Sequence, residues 1–198
     1  MEPDATVRPL RDATELRRVL TLVLDRVGQT SGAFEYRLVG TAASLLQGVE
    51  LPTGDIDLLV KRRAAVNLFA ESMADFPCLM PPSWLPEARQ YFTHFAVNGI
   101  DAGASTVEAP MDEDTIECLG SGPWEHFIEV DIGRHLVPVV RLELRLATEL
   151  VRDRPERVHA LVDHMQRHGA DLNFLRRCLE RRVEPAMRES VLRRLAAS

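Results

Sequence analysis

Cysteine is scarce in this chain of 198 residues, which carries only Cys78, Cys118 and Cys178. An odd number of widely spaced cysteines fits neither a disulfide framework nor the paired Cys-x-x-Cys ligands of a zinc site. Long apolar runs are also missing, because no stretch approaches the roughly 20 apolar residues that span a bilayer. These absences argue against a disulfide-stapled secreted protein and a membrane span, and they predict a cytoplasmic protein.

Two common nucleotide-binding motifs are absent as well. The chain has no GxxxxGK[ST] loop and no GxGxxG fingerprint, so P-loop and Rossmann sites are excluded at the level of the motif. Lysine is reduced to a single residue, Lys61, and arginine supplies almost all of the positive charge.

Charge is unevenly distributed along the chain, whose net charge is -6. Residues 141–198 hold 13 arginines against 9 acidic residues, so the acidic excess lies in residues 1–140. An acidic body disfavours unaided binding to a nucleic-acid backbone. The arginine-rich tail is interpreted as a solvated helical surface, with a local basic patch as the alternative.

Hydrophobic periodicity predicts a mixed α/β (α+β) body followed by a helical tail. Helices are predicted at 12–29, 63–75, 141–152, 154–168, 171–182 and 185–196, and one or two helical turns at 42–48. Strands are predicted at 36–39 and 55–60 and in two hairpins, 91–97 with 100–106 across Asn98-Gly99, and 126–131 with 135–140. The proline-rich stretch 77–90 is predicted to form no single regular element. The predicted domains are 1–140 and a C-terminal helical region, 141–198.

Asp55 and Asp57 are the strongest candidates for chemistry. They lie in the predicted strand Asp-Ile-Asp-Leu-Leu-Val, where residues two apart point to the same face. Two adjacent carboxylates repel each other, so keeping both ionised costs little free energy only when a cation or water screens them. Such oxygen ligands suit Mg²⁺, which also binds substrate phosphates.

Gly40 and Thr41 precede this pair, between a predicted strand and a predicted helix start. Backbone N–H groups at a helix start, together with a hydroxyl, are typical of a phosphate-binding turn. A phosphate-binding turn next to a carboxylate metal site is the combination used in metal-assisted phosphoryl or nucleotidyl transfer.

The segment Leu38-Val39-Gly40-Thr41, a spacer of 13 residues, and Asp55-Ile56-Asp57-Leu58 resembles the signature of the DNA polymerase beta-like nucleotidyltransferase superfamily. The resemblance extends over roughly residues 12–140, with the sharp motif in 38–60. It implies a small mixed sheet flanked by helices, Mg²⁺ as cofactor, and transfer of a nucleoside monophosphate from an NTP such as ATP. Thr41 replaces the usual serine of the signature.

The family also implies a third carboxylate on a later strand, as a metal ligand or as a base. Asp101 is the first candidate, and Glu129 and Asp131 are the alternatives. Lys61, directly after the strand of Asp55 and Asp57, is a candidate for contact with the triphosphate. The predicted catalytic and metal-binding set is therefore Asp55, Asp57 and Asp101, with nucleotide contacts from Gly40, Thr41 and Lys61.

Histidines offer weaker alternatives. His164 and His168 have the i, i+4 spacing of zinc ligands, but no HExxH motif accompanies them. His94 is interpreted as a packed or hydrogen-bonded histidine at the edge of the core.

The expected function is Mg²⁺-dependent nucleotidyl transfer to an acceptor that the residues do not identify, either a small molecule such as an aminoglycoside or a protein or RNA hydroxyl. The alternative is a binding or regulatory protein with degraded catalysis on the same fold, for example a toxin–antitoxin component. The C-terminal helices are a candidate surface for homodimerisation, and no membrane partner is expected.

Overall fold

The computed structural model describes residues 6–30, 34–108, 116–118, 120–180 and 182–197. Within these ranges the chain forms, in order, α1 (Ala13–Thr30), β1 (Tyr36–Val39), α2 (Gly40–Leu46), β2 (Asp55–Val60), α3 (Arg63–Ser72), β3 (Cys78–Leu85), β4 (Gln90–Val97), β5 (Ile100–Ser105), a 3-10 helix (Ile116–Cys118), α4 (Gly122–Glu125), β6 (Phe127–Asp131), β7 (Leu136–Val140), α5 (Leu142–Val151), α6 (Pro155–His168), α7 (Leu172–Leu179) and α8 (Pro185–Ala196).

Helix α1 follows its sequence pattern closely. Its apolar residues at spacings of three and four are all buried, and Asp12 caps its first turn by accepting a hydrogen bond from the Glu15 N–H at 2.8 Å. This is the arrangement expected of an amphipathic helix that lies on a sheet, with a carboxylate at the N-cap.

The strands of the described ranges form one mixed sheet in the order β3-β4-β5-β2-β1-β7-β6. Strand β2 pairs parallel with β5, and β1 pairs parallel with β7, whereas the remaining neighbours are antiparallel. Both predicted hairpins are present as β4–β5 and β6–β7, and the α/β class predicted from the sequence is confirmed.

Residues 77–90 form no single regular element, as predicted, because strand β3 ends at Leu85 and a turn leads into β4. The strand itself was not predicted: Cys78–Leu85 pairs with β4 as an edge strand of the sheet. Its register shifts between Cys78 and Met80 and again between Met80 and Ser83, and the second shift contains Pro81 and Pro82. Proline has no N–H to give to a ladder, and an edge strand, which needs its donors on one side only, tolerates that loss.

Two groups of buried apolar side chains hold these elements together. The larger one packs the sheet against α1, α2 and α3. The second lies among α5, α6, α7 and α8, and it takes in Val49, Leu51 and Ile116 from the preceding part of the chain. The predicted domain boundary between residues 140 and 141 stays a prediction.

The described part of the chain contains no helix with the length and apolar character to cross a bilayer. Cys78, Cys118 and Cys178 are not joined by disulfide bonds.

Candidate active site

Asp55 and Asp57 lie at the start of β2, a strand near the middle of the sheet. Both side chains are partly exposed, whereas Ile56 and Leu58, on the opposite face, are buried in the core. Because alternate residues of a strand point to the same side, the two carboxylates share one face at one end of β2.

Asp101 is brought to this pair by the parallel pairing of β2 with β5. In the register of these strands Asp55 is opposite Asp101, and Asp57 is opposite Gly103. Residues in register on neighbouring strands point to the same face. The structure therefore places the first candidate for the third carboxylate beside Asp55.

Glu129 and Asp131, the alternatives, are not brought to the pair. Both lie on β6, which is separated from β2 by β7 and β1. The Asp131 carboxylate instead accepts a hydrogen bond from the Gly133 N–H at 2.6 Å.

Gly40 and Thr41 form the start of α2, directly after β1. Gly40 adopts a positive φ of 70°, and a Cβ built on it would lie 3.0 Å from the Oδ2 of Asp57. Glycine is the residue that meets both conditions, since it has no side chain and tolerates a left-handed backbone. The turn thus contacts the second carboxylate, with Thr41 buried at the next position.

Lys61, by contrast, is not brought to the carboxylates. It follows the far end of β2, about 13 Å along the strand from Asp57 at the usual rise per residue. Its ammonium group pairs with Glu35 at 2.6 Å and lies 4.6 Å from the centre of the Trp124 ring. These local contacts account for the position of the Lys61 side chain without a bound nucleotide.

His94 adds a feature that its sequence context did not single out. It lies on β4 opposite Gly103, and its Nδ1 is 2.7 Å from the Oδ1 of Asp101. Although burial opposes it, this hydrogen bond and the charges of Asp101, Asp57 and Asp55 raise the pKa of His94 above its ordinary value. The interpretation of His94 as a hydrogen-bonded histidine therefore holds, but its partner is a candidate site residue.

Gly103 makes room for the His94 ring. A Cβ at this position would lie 2.7 Å from Cε1 and 2.8 Å from Nδ1 of His94, and 2.8 Å from the carbonyl oxygen of Thr93. The last contact is with backbone, which cannot swing away as a side chain can. The glycine therefore allows the histidine to cross β5 and reach Asp101.

We predict that Gly103→Ala lowers the free energy of unfolding by about 1–3 kcal/mol, the usual cost of an overpacked site. Urea denaturation followed by circular dichroism measures this change. Gly54→Ala is the matched control, because a Cβ at Gly54 meets nothing within 4 Å and its φ is not positive. Equal stability of the two variants would contradict the close approach of His94 to Gly103.

Glu117, in the 3-10 helix, is a site residue that sequence reasoning missed. It is 1% exposed, and its Oε2 accepts a hydrogen bond from the Gly40 N–H at 3.3 Å. Its Oε1 is bound by the guanidinium of Arg145, on α5, which also binds Glu149. The spacing of Arg145 and Glu149 is the i, i+4 pattern of a helical ion pair, and it is the only sequence signal for this cluster.

Negative charge accumulates around Asp57. Burial, together with the charges of Asp55, Glu117 and Asp101, raises the pKa of Asp57 to about 7, although His94 opposes the shift. A carboxyl group that loses its proton only near neutral pH lies where negative charge is poorly compensated. A divalent cation would supply that compensation.

The donor set fits Mg²⁺ rather than a softer metal. Asp55, Asp57 and Asp101 offer hard carboxylate oxygens, the ligand type that Mg²⁺ prefers. Among the described residues, no three or more His, Cys, Asp or Glu side chains are grouped closely enough to hold a metal ion. Asp101 is turned towards His94, so the arrangement corresponds to two protein carboxylates, which is common for Mg²⁺ that is also bound to phosphates.

A cavity of about 650 Å³ lies elsewhere, at the start of α1. Its lining includes Asp12, Leu45, Glu50 and Pro52 but none of the carboxylates discussed above. The candidate site is therefore defined by its side chains and not by this cavity.

The fold has a counterpart among solved structures. A presumptive nucleotidyltransferase from Thermotoga maritima superposes with a TM-score of 0.54 at 18% sequence identity, and the match covers 79% of this chain and 96% of that one. The chain thus has a nucleotidyltransferase-like fold, as its motif predicts. At this identity the likeness concerns the fold alone.

A second structure, Cid1 in complex with its short product ApU, matches with a TM-score of 0.36 and 15% identity over 52% of this chain and 33% of its own. A score this low carries no argument. No protein-family model matches the sequence, and the search of curated proteins finds no match.

Proposed function

We propose that this protein is a Mg²⁺-dependent nucleotidyltransferase, which moves a nucleoside monophosphate from an NTP to an acceptor hydroxyl. The observation that carries the proposal is the juxtaposition of Asp55, Asp57 and Asp101 on one face of β2 and β5, with the Gly40 turn against Asp57. In the reaction, the acceptor oxygen forms a bond to the α-phosphorus, the bond between the α-phosphorus and the bridging oxygen breaks so that pyrophosphate leaves, and the proton of the acceptor hydroxyl passes to the Asp101 carboxylate.

Each residue has a role in this proposal. Asp55 and Asp57 would hold Mg²⁺, which, when bound, offsets the negative charge of the triphosphate and polarises the phosphoryl oxygens. The turn at Gly40 and Thr41 binds phosphate through backbone N–H groups and the Thr41 hydroxyl. Asp101 accepts a hydrogen bond from the acceptor hydroxyl and helps to activate it, and His94 fixes the orientation of its carboxylate. A third ligand role for Asp101 remains a prediction.

The donor substrate in this proposal is an NTP such as ATP. The acceptor is a small molecule such as an aminoglycoside, or a protein or RNA hydroxyl. We keep the cytoplasm as the predicted location, and the C-terminal helices as the predicted surface for a homodimer.

Isothermal titration with Mg²⁺ and a non-hydrolysable ATP or GTP analogue tests the proposal. We expect nucleotide binding that requires Mg²⁺, and we expect Asp57→Ala to abolish it because one of two metal ligands is lost. Glu129→Ala is the matched control, since this exposed carboxylate lies on β6, remote from the pair.

If the wild-type protein does not bind nucleotide at millimolar nucleotide concentration in the presence of Mg²⁺, the proposal is wrong. The alternative would then be favoured, namely a binding or regulatory protein on the same fold. One observation supports that alternative: the Gly40 N–H, a group suited to bind phosphate, already donates to Glu117.

A further inference from the structure

Glu117 joins the Gly40 turn to the C-terminal helices. One carboxylate oxygen, Oε2, accepts from the Gly40 N–H, and the other, Oε1, binds Arg145 of α5. The backbone N–H of Glu117 also donates to the Thr148 hydroxyl on the same helix at 3.3 Å. The carboxylate is therefore fixed from two sides against the turn that contacts Asp57.

The positive charge of Arg145 is divided between two carboxylates. Its guanidinium binds Glu149 as well as Glu117, and all three side chains are at most 2% exposed. Arg157 lies near Glu149, with its Nη1 3.5 Å from the Oε1 of that carboxylate. One guanidinium therefore serves two carboxylates, so the cluster keeps net negative charge. The Oε2 end of Glu117 turns part of that charge towards Gly40.

Two physical effects follow from a carboxylate at this place. A buried negative charge next to the turn repels a triphosphate that arrives without a cation, because charges interact strongly where water is excluded. The same charge strengthens the attraction of the site for a divalent cation.

We propose that Glu117 is a positioning residue that makes nucleotide binding conditional on the divalent metal: it holds the Gly40 turn against Asp57, excludes metal-free nucleotide and increases the affinity of the site for the cation. This inference rests on the proposed function of the same site. It also gives the C-terminal helices a part in the site, because Arg145 and Thr148 hold Glu117 in place.

The test is Glu117→Gln, which keeps an oxygen acceptor for the Gly40 N–H but removes the charge. Two probes are titrated separately: Mn²⁺ alone, followed by electron paramagnetic resonance, and ATP in excess EDTA, followed by calorimetry at low salt. We expect the Kd for Mn²⁺ to rise about fivefold and the Kd for metal-free ATP to fall about fivefold, as for loss of one charge near each ligand.

Glu149→Gln is the matched control. It removes the same charge from the same arginine, but Glu149 has no contact with Gly40, so we expect both constants to change less than about twofold. Circular dichroism and thermal melting establish that the variants are folded. If Glu117→Gln does not fold, Glu117→Asp replaces it, because it keeps the charge for Arg145 but draws it back from Gly40. Both constants then shift in the same directions by about threefold, more than in the control.

Weaker binding of Mn²⁺ together with tighter binding of metal-free ATP supports the inference, because general damage to the structure would weaken the binding of both probes. Weaker binding of both probes, or no change in either, in a folded Glu117 variant would overturn it while the proposed function stands. A wild-type protein that binds neither Mn²⁺ nor ATP, whether each is added alone or both are added together, overturns the proposed function, and this inference with it.

Discussion

Replacing Arg145 with methionine lowers the free energy of unfolding by about 3–5 kcal/mol, because two buried carboxylates lose their shared partner. Glu117 and Glu149 are as deeply buried as Arg145 itself, and neither can reach water. After the substitution, Arg157 remains near Glu149. Among the described residues, the Glu117 carboxylate then has the Gly40 N–H as a hydrogen-bond donor but no positive charge beside it. For a chain of this size the melting temperature falls on the order of 10 °C.

Urea denaturation of Arg145→Met against wild type measures this loss. Arg157→Met is the control, because it removes the other arginine near Glu149 from a site where its side chain is 29% exposed, and we expect a cost under about 1 kcal/mol. Adding Glu117→Gln and Glu149→Gln to Arg145→Met recovers part of the loss if unpaired charge is the cause. A loss below about 1 kcal/mol in the single variant would show that the cluster is not buried as described.

Replacing Asp57 with asparagine stabilises the metal-free protein at pH 8 by about 2 kcal/mol and removes its response to Mg²⁺. The ordinary pKa of this carboxyl group is 3.8, and burial together with the nearby acidic groups raises it to about 7 in the folded state. Between these values the folded protein keeps a proton that the unfolded chain has lost. The contribution of Asp57 to stability therefore falls as the pH rises from about 4 to 7, and asparagine has no such loss.

Thermal melting in EDTA at pH 4 and at pH 8 tests the sign. The two proteins melt alike at pH 4, and Asp57→Asn melts several degrees higher at pH 8, at about 2–4 °C per kcal/mol. Mg²⁺ at pH 8 raises the melting temperature of the wild type but not of the variant. A variant that is less stable than wild type at pH 8 in EDTA would show that the negative charge around Asp57 is already compensated.

Local sequence patterns predicted the elements whose stability depends on near neighbours. Three elements were predictable from short stretches of sequence: α1 from the spacing of its apolar residues, β2 from its alternation, and the β4–β5 hairpin from Asn98-Gly99. The structure has each of them close to its predicted bounds. Asp55 and Asp57 could be placed on one face for the same reason, since the period of a strand is two.

Features that depend on distant parts of the chain could not be read in this way. The choice among Asp101, Glu129 and Asp131 depends on strand order, which a local pattern does not contain. Strand β3 was missed because prolines usually end a strand, and only its position at the sheet edge makes them acceptable.

Glu117 and Arg145 show the same limit for the site. Glu117 lies in a short segment without periodicity, so no pattern marked it as buried. Arg145 stands in an arginine-rich tail that suggested a solvated surface, yet it is 1% exposed. Contact between the two, 28 residues apart, appears only when α5 packs beside the 3-10 helix.

The prolines of β3 also affect whether two copies of the protein can associate through the edges of their sheets. The free edge of β3 exposes Met80, Trp84 and Leu85, side chains that would favour lateral association of sheets and aggregation. Pro81 and Pro82 have no N–H to offer to a further strand, and the register shifts at these residues interrupt the regular spacing of the edge. A strand from a second molecule therefore cannot complete a continuous ladder there, so an apolar edge can remain exposed without templating fibrils.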